Sequence, residues 1–241
     1  SICMTEIAIP PKCKTGTDLQ TEEVVDVTAK QIAELPKATE IQANVEAKAR
    51  RDQLRDRQVE ARFLLARINF EQAAAFDRGS PEFEKTLNAA SKQFGELVEE
   101  YRRSLLGATS RFYQGRCAQE LGGTQKALGC YEALVQIASD DAEFRRWVAK
   151  AQRHRTESLL DLDKIDDAVK GSEGFLRESK PAERQQPEWL EVAYRLADAY
   201  QAKLKQGELH VLGWEWEMGL YDLMVEAAKK MGVKLLLLII P

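Results

Sequence analysis

The chain has 241 residues, of which 44% are hydrophobic and 31% are charged, a balance that allows a substantial apolar core. Its 35 basic and 39 acidic residues leave a formal net charge of -4. This charge excludes a general electrostatic attraction to nucleic acid or to an anionic membrane, so either partner would need a local basic patch.

The beginning of the chain favours an extended or poorly ordered arm over residues 1–18. Pro10, Pro11 and Gly16 stand there among scattered polar residues, a composition typical of loops and chain ends. No basic leader followed by a long apolar core is visible. This slightly favours a cytoplasmic protein, although a mature exported chain that has lost its leader would look the same.

Leading helices are expected over residues 19–58. A first helix is predicted for residues 19–35 and ends before Pro36, which cannot continue it. Residues 38–76 contain neither glycine nor proline, which indicates one long helix or two nearly continuous ones. Its charged middle, residues 48–57, is interpreted as a solvated face because aspartates alternate with the basic residues, and a phosphate-binding patch is the alternative.

Pairs of helices are expected over residues 59–206, which we predict to be a helical repeat domain. The first pair covers residues 59–103 and is interrupted at Ser80 and Pro81. Serine suits the N-cap because its hydroxyl accepts a hydrogen bond from a free backbone N–H. Proline suits the first helical position because it has no N–H to leave unpaired. The second helix of this pair therefore starts directly after Ser80.

The second pair, over residues 105–139, turns at Gly122 and Gly123. Glycine ends a helix readily because it adopts the left-handed conformation of a C-terminal cap without steric cost. Thr124 is expected to cap the next helix through its hydroxyl. A connection this short makes the two helices antiparallel, and the small residues Gly115 and Ala118 let a neighbouring helix come close.

Key positions of this pair are spaced as in a known repeat: Gly115, then Gly122 seven residues on, Ala127 five after that, Tyr131 four later and Leu134 three further. In this spacing the pair resembles the tetratricopeptide repeat. The resemblance implies an all-α fold in which antiparallel helix hairpins stack as a right-handed α-solenoid. It also implies that the first helix of each hairpin lines a concave, protein-binding face.

A second copy of the pattern supports the repeat. Residues 62–71 match residues 111–120, with arginine, phenylalanine, arginine and glutamate in register. The second helices match as well, because Ala90, Phe94 and Leu97 have the spacing of Ala127, Tyr131 and Leu134.

The third pair begins at Asp140 and Asp141, where carboxylates favour the positive end of a helix dipole, and it turns within residues 161–167. The aspartates of that turn are interpreted as turn and cap residues, since the glycine and glutamate of a calcium loop are not at the required spacing. A basic run over residues 145–155 is interpreted mainly as a solvated face. Its functional alternative is one side of a groove that binds an acidic peptide or a phosphate.

A fourth pair opens at Trp189, and residues 207–241 are expected to form a C-terminal helix and an apolar tail. Residues 235–240 are all leucine or isoleucine, but they are too few to span a bilayer. The last repeat of a solenoid normally has a polar outer face. The tail is therefore interpreted as a capping or interface segment through which the chain could self-associate.

The cysteines are widely separated along the chain: Cys3, Cys13, Cys117 and Cys130. None of them has the close spacing of a metal motif, and only His154 and His210 could join them as soft ligands. No metal site and no cofactor are therefore predicted. Cys117 and Cys130 lie at similar heights on either side of the glycine turn, which leaves a bridge open beside the commoner role of small buried residues.

The sequence shows no nucleophile beside a base, no glycine loop that would cradle a phosphate after a strand, and no cluster of metal ligands. We therefore expect a protein that is not an enzyme and that serves as a scaffold, binding an extended peptide or a helix of another protein. The alternatives are a structural subunit of a larger assembly and, with less support, a helical repeat protein that binds nucleic acid.

Mixed aromatic and charged residues of the first helices are expected to bind the partner on the concave face. The predicted partner-binding set is Phe63, Arg67, Phe70, Glu71, Phe112, Arg116, Gln119, Glu120, Lys150, Arg153, Glu157, Tyr194, Asp198 and Gln201.

Overall fold

A computed structural model describes residues 17–34 and 45–205, and these ranges contain eight α-helices and no strand. The prediction of an all-α chain is thereby confirmed for the described residues. The helices are α1 (Thr17–Ala33), α2 (Val45–Ala73), α3 (Pro81–Glu100), α4 (Leu105–Glu120), α5 (Thr124–Val135), α6 (Ala142–Asp161), α7 (Ile165–Glu178) and α8 (Pro187–Lys205). The chain divides into two compact units, with the boundary between Arg102 and Arg103.

Several sequence predictions lie outside the described residues. They concern nearly all of the N-terminal arm, the second helix of the fourth pair, and the C-terminal helix and apolar tail over residues 207–241.

In the first unit α2 and α3 form an antiparallel hairpin, and α1 packs against α2. Arg62 of α2 contacts Glu100 at the end of α3, with Nη1 and Oε2 2.7 Å apart. Asn69, further along α2, donates a 2.8 Å hydrogen bond to Gln93, which comes earlier in α3. The two contacts run in opposite directions along the two helices, as the antiparallel prediction requires.

The start of α3 follows the predicted chemistry. Ser80 is the N-cap, with extended backbone, and its hydroxyl accepts a 3.2 Å hydrogen bond from the backbone N–H of Phe83. Pro81 is the first helical residue, which needs no intrahelical partner for its nitrogen. Upstream, α2 is a single helix of 29 residues. The predicted start of the repeat domain at residue 59 therefore lies inside a continuous helix.

The charged stretch of residues 48–57 belongs to α2. Its side chains are exposed apart from Arg51, which is half-buried, and Leu54, which is 8% exposed. A long helix with one apolar contact position in this segment is typical of a solvated helix face.

The second unit contains the hairpins α4/α5 and α6/α7, followed by α8. The first helices of successive pairs are neighbours, because α4 contacts α6 and α6 contacts α8. Two groups of buried side chains hold these helices together. One joins α4, α5 and α6 around Phe112 and Tyr131, and the other joins α6, α7 and α8 around Leu159 and Trp189.

The turn between α4 and α5 is closed by two backbone hydrogen bonds. Gly122 has a φ of 75°, its N–H donates to the carbonyl of Gln119 at 2.9 Å, and the N–H of Gly123 donates to Ala118 at 2.8 Å. These are the two bonds of a Schellman cap. The prediction for Thr124 was wrong: Gly123 is the N-cap without a side-chain bond, and Thr124 is already the first helical residue.

The turn between α6 and α7 repeats this geometry without glycine. Asp163 has a φ of 57°, and its N–H donates to Leu160 at 3.0 Å, while the N–H of Lys164 donates to Leu159 at 2.8 Å. A short polar side chain tolerates this left-handed conformation better than most residues do. The prediction of a turn within residues 161–167 is therefore confirmed.

Asp141 is the N-cap of α6, and its Oδ1 accepts a 2.7 Å hydrogen bond from the backbone N–H of Phe144. The carboxylate also lies at the positive end of the helix dipole, which favours its charged form. The predicted start of the third pair is thereby confirmed.

The sequence copy shared by the two units marks core positions in both. The rings of Phe63 and Phe94 lie 5.8 Å apart in the first unit, and those of Phe112 and Tyr131 lie 6.1 Å apart in the second. All four side chains are buried, with exposures between 0% and 8%. The matched residues are therefore the ones through which the first helix of each hairpin packs on the second.

Candidate functional site

A row of polar side chains crosses the first helices of the second unit, and we call the surface that carries it the first-helix face. The polar row consists of Glu120 and Arg116 on α4, His154 and Glu157 on α6, and Arg195 and Asp198 on α8.

Each helix contributes one pair to the polar row, and other contacts join the helices. Within α4, Arg116 and Glu120 form an ion pair at 3.1 Å. Between α4 and α6, Arg116 Nη1 lies 3.5 Å from His154 Nε2. Between α6 and α8, Arg195 Nη2 lies 3.7 Å from Glu157 Oε1. The row is therefore continuous over three neighbouring helices.

A second ion pair runs beside this row. Arg153 of α6 and Glu191 of α8 approach within 3.6 Å. Within α8, Arg195 also pairs with Asp198 at 2.8 Å. The side chains of Arg153 and Arg195 are 29% and 27% exposed, so these pairs are partly shielded from water and partly accessible to it.

His154 is the buried member of the polar row, at 5% exposure. Its ring stacks on Tyr131 at 5.5 Å and meets Phe112 edge to face at 5.4 Å. Its Nδ1 lies 3.3 Å from Glu157 Oε2. The ring therefore links the aromatic core of the α4/α5 hairpin to the charged surface.

The environment fixes the charge states of this pair. Burial, with the nearby charges of Arg116 and Arg153, lowers the pKa of His154 below its ordinary value of 6.5. The adjacent His154 ring and the charges of Arg195 and Arg153 lower the pKa of Glu157 to about 2. At neutral pH the site therefore holds a neutral imidazole beside a charged carboxylate.

An aromatic pair lies on the same two helices as the polar row. Tyr113 of α4 and Trp147 of α6 are both half-buried, and their ring centroids are 6.1 Å apart. The ammonium group of Lys150 lies 4.5 Å from the Trp147 ring, within the range of a cation–π contact. We call these three residues the aromatic platform. Buried Phe112 supports it from below, 5.3 Å from Trp147.

Most predicted site residues of the second unit lie in or near these two features. Arg116, Glu120, Glu157 and Asp198 belong to the polar row, Arg153 lies beside it, and Lys150 belongs to the platform. Tyr194 lies under Arg195, whose guanidinium carbon is 5.7 Å from the ring centroid, and Gln201 is exposed on α8.

Two predicted residues of the second unit have other roles. Phe112 is 6% exposed and packs in the core, so it does not offer a ring to a partner. Gln119 points into its own hairpin, where its Oε1 accepts a 3.0 Å hydrogen bond from the Tyr131 hydroxyl. The helical period places Phe112 and Gln119 close to Arg116 on α4, but it did not reveal that α5 and α6 cover part of that side of the helix.

The predicted residues of the first unit are also divided between core and surface. Phe63 is 8% exposed and belongs to the core, whereas Phe70 is half-buried and Glu71 is exposed. Arg67 and Glu71 form an ion pair at 3.6 Å, in the same i, i+4 relation as Arg116 and Glu120. The repeated arginine and glutamate therefore form the same local pair in each unit.

The basic run of residues 145–155 does not form one surface. Arg145 forms hydrogen bonds of 2.5 and 2.7 Å to Glu183, which is itself buried. Arg155 points towards the second helices, where it pairs with Glu132 of α5 at 3.4 Å. Lys150, Arg153 and His154 of this run contribute to the first-helix face, because helix residues three and four positions apart lie on the same side.

Sequence reasoning missed Tyr113, Trp147, Glu191 and Arg195 as members of the site. One signal was available: Arg116 and His154 are 38 positions apart, and the pairs Arg153–Glu191 and Glu157–Arg195 have the same separation. In these three pairs the side chains meet between successive first helices. A search of the sequence for oppositely charged residues 38 positions apart could therefore have found the latter two of these pairs.

Both described cysteines, Cys117 and Cys130, are free. Burial raises the pKa of the Cys117 thiol to about 12, and burial also raises that of Cys130. Such thiols are poorly reactive because the thiolate is the nucleophile. Across residues 17–34 and 45–205, no three His, Cys, Asp or Glu side chains are grouped so that they could hold a metal ion.

No helix in the described part of the chain is both long enough and apolar enough to cross a membrane.

The fold and the site define an all-helical hairpin protein whose first helices present a shared polar and aromatic face. No family model matches the sequence, and no curated protein matches it. Among solved structures, the chain is similar to a crystal structure of nearly identical TPR-like repeats of a kinesin light chain from Podosopora anserina. The sequence identity is 14%, the match covers 91% of this chain and 100% of that chain, and the TM-score is 0.46.

Proposed function

We propose that the chain is a non-catalytic scaffold that binds an extended peptide or a helix of another protein on the first-helix face of α4, α6 and α8. The observation that supports this most strongly is the joint presentation of the aromatic platform and the polar row by neighbouring helices. Aromatic and arginine side chains are the residues that contribute most of the energy at protein interfaces. A surface that spans several hairpins suits a partner segment longer than a few residues.

The two features would contribute differently to binding. Tyr113 and Trp147 offer rigid aromatic area, held in place by their contacts with Phe112. The ion pairs of the polar row hold the charged side chains in defined positions before a partner arrives, which reduces the entropy lost on binding. Because the row contains both signs of charge, it favours selection of a partner by charge pattern over attraction by net charge.

Partner binding by the first unit is proposed on the same grounds. Arg67, Phe70 and Glu71 keep this role because their side chains are partly or fully exposed on α2. The core residues Phe63 and Phe112 and the inward-pointing Gln119 leave the proposed binding set.

Site-specific photo-crosslinking tests the proposal. The full chain carrying a benzophenone amino acid in place of Tyr113 is compared with one carrying it in place of Lys170, an exposed residue of α7. We expect a protein adduct that forms from position 113 and is absent from position 170, and the crosslinked peptide identifies the partner segment. Equal adducts from both positions would contradict binding on the first-helix face.

A matched pair of substitutions then measures the contribution of the platform. Lys150→Glu reverses the charge beside Trp147, and Lys170→Glu makes the same change on α7. With the purified partner segment, we expect Lys150→Glu to weaken the Kd by about tenfold or more, in the range of an interface hot spot. Lys170→Glu is expected to leave the Kd within about twofold. The same weakening by both variants would argue against a specific role of the platform.

The nucleic-acid alternative has less support from the contacts. Arg145, Arg153 and Arg155 each pair with a carboxylate from another helix or loop, so their charges are largely balanced within the protein. Phosphate binding would require these pairs to exchange partners. Titration with single-stranded and duplex oligonucleotides at increasing salt distinguishes the two proposals, because phosphate contacts weaken steeply with ionic strength.

Self-association through the apolar C-terminal tail also stays a proposal. Sedimentation equilibrium of the full chain and of a chain that ends at residue 206 is the direct comparison. A dimer that persists after the truncation would place the interface elsewhere.

A further inference from the structure

His154 is held at the junction of α4 and α6 by donors of two different arginines. Its Nε2 lies 3.2 Å from Arg153 Nη1 and 3.5 Å from Arg116 Nη1. A guanidinium group has only N–H donors, so Nε2 must be the acceptor and the ring proton must be on Nδ1. Nδ1 lies 3.3 Å from the carboxylate of Glu157. The neutral ring in this tautomer complements all three neighbours.

The groups that face the ring come from every helix packed around it, and positive charge predominates at Nε2. Glu157 lies at the Nδ1 side, but it is shared with Arg195 of α8. Glu120 is paired with Arg116. Tyr131 of α5 stacks on the ring, and burial raises its pKa, so the phenol stays uncharged over the range in which histidine titrates. The charged and titratable neighbours are Arg116, Glu120, Tyr131, Arg153, Glu157 and Arg195.

Protonation of Nε2 would change two contacts at once. The ring would lose the lone pair that accepts from Arg116 and Arg153, and a new N–H would point at two guanidinium groups. Like charges in a partly buried site repel strongly because little water screens them. The Arg116 side chain would have to leave, which removes the polar link between α4 and α6. The ring of Phe112 lies between the two halves of the junction, 5.4 Å from the ring of His154 and 5.3 Å from that of Trp147.

We propose that His154 makes the α4–α6 junction a proton-sensitive joint, closed when the ring is neutral and opened at the polar row when Nε2 is protonated. The joint is a property of the helices themselves. The idea that this opening releases a partner from the first-helix face in acid rests on the proposed function.

The electrostatics set the direction of this response. Burial is the main cause of the lowered pKa of His154, and the two arginines add to it. The closed form is therefore present at neutral pH, and opening requires a pH below the ordinary histidine pKa of 6.5. The unfolded or opened chain binds the proton more readily than the closed chain, so acidification favours opening.

Nuclear magnetic resonance on the full chain tests the joint directly. The chain has two histidines, so a His210→Gln background leaves one imidazole to follow from about pH 7.5 to about pH 5. We expect the His154 ring proton to titrate with a midpoint below 6.5. We also expect the indole N–H resonance of Trp147 to shift with the same midpoint. The indole of Trp189, which donates a 2.8 Å hydrogen bond to Ser179, serves as the internal control and should not follow it.

Two substitutions separate the joint from a general effect of pH. His154→Gln retains an oxygen acceptor for the arginines but cannot be protonated, so the Trp147 shift should disappear. His154→Arg introduces a charge that is kept even on burial, so Trp147 should show its acid position already at about pH 7.5. The proposal is overturned if Trp147 does not move while His154 titrates, or if it moves equally in His154→Gln. If either variant fails to fold, the parallel titration of His154 and Trp147 in the His210→Gln chain still decides the question. None of these signals requires a bound partner, so the joint can stand where the scaffold proposal fails.

Discussion

Gly115 of α4 packs directly against the ring of Tyr131 in α5. A Cβ atom placed on Gly115 would lie 2.6 Å from Tyr131 Cε1, closer than non-bonded carbon atoms approach, and 3.0 Å from Cζ. The ring is 0% exposed and cannot move into solvent. The smallest residue on one helix and a large ring on the other therefore set the distance between the two helices.

We expect Gly115→Ala to destabilise the protein by about 1 to 3 kcal/mol, because overpacking outweighs the better helix propensity of alanine. Gly129→Ala is the matched control, since a Cβ there meets no atom within 4 Å and the residue is in the same hairpin. Gly129→Ala should stabilise by about 0.4 to 1 kcal/mol. Urea unfolding followed by tryptophan fluorescence gives both values. A stabilising Gly115→Ala would contradict the close packing.

The turn glycine provides a second prediction. Gly122 has a φ of 75°, and a Cβ there would meet no atom within 4 Å, so any cost of substitution arises from the backbone conformation. Gly122→Ala should lower the free energy of unfolding by about 1 to 2 kcal/mol, the cost of a left-handed non-glycine residue. Gly174→Ala, in the open middle of α7, should not lower it. The same loss at both positions would rule out the conformational explanation.

In the α6/α7 hairpin the two helices meet through a buried polar contact, where the α4/α5 hairpin has the contact between Gly115 and Tyr131. Thr156 and Ser172 are both 0% exposed, and their hydroxyl oxygens lie 2.7 Å apart between α6 and α7. Thr156→Val should cost about 1 to 3 kcal/mol, because it leaves the Ser172 hydroxyl without this partner. The double variant Thr156→Val, Ser172→Ala should cost less than the two single changes together. Additive losses in this double-mutant cycle would show that the hydroxyls act independently.

The carboxylate of Glu157 predicts a dependence of stability on pH. Its folded pKa of about 2 lies below the ordinary value of 4.5, so its contribution is complete above pH 4.5 and is lost as the pH falls towards 2. The difference in urea midpoint between the native chain and Glu157→Gln should therefore be largest near neutral pH and should disappear in acid. Glu143→Gln, a change at an exposed residue of α6, is the control and should leave a small gap. A Glu157→Gln gap that is constant with pH would exclude a charged contact.

Much of the local structure could be read from the sequence because its causes are local. Ser80 and Asp141 cap helices through bonds to residues three positions away, and Gly122 ends α4 through its own backbone freedom. The core positions of α5 follow from the helical period: Ala127, Tyr131 and Leu134 are all 0% exposed. The cap of α5 was predicted one residue too late, because Gly123 and Thr124 are adjacent and only the backbone conformation shows which of them precedes the helix.

The candidate site could not be predicted in the same way, because it is formed by contacts between helices that are far apart in the sequence. Arg116, Arg153 and Arg195 are similar arginines on helix faces, yet each one meets its partners only because α4, α6 and α8 lie side by side. Phe112 was predicted to bind the partner, but Tyr131 and Trp147 cover it.

The sequence by itself determined most of the helix ends and which stripe of each helix is apolar, since these properties depend on residues within about one helical turn. The tertiary structure alone decided which arginines are paired and which phenylalanines are covered, and it placed a neutral histidine between two guanidinium groups. The physical reason is that burial and charge pairing depend on the neighbouring helix, whose distance and register are set by packing between residues far apart in the chain.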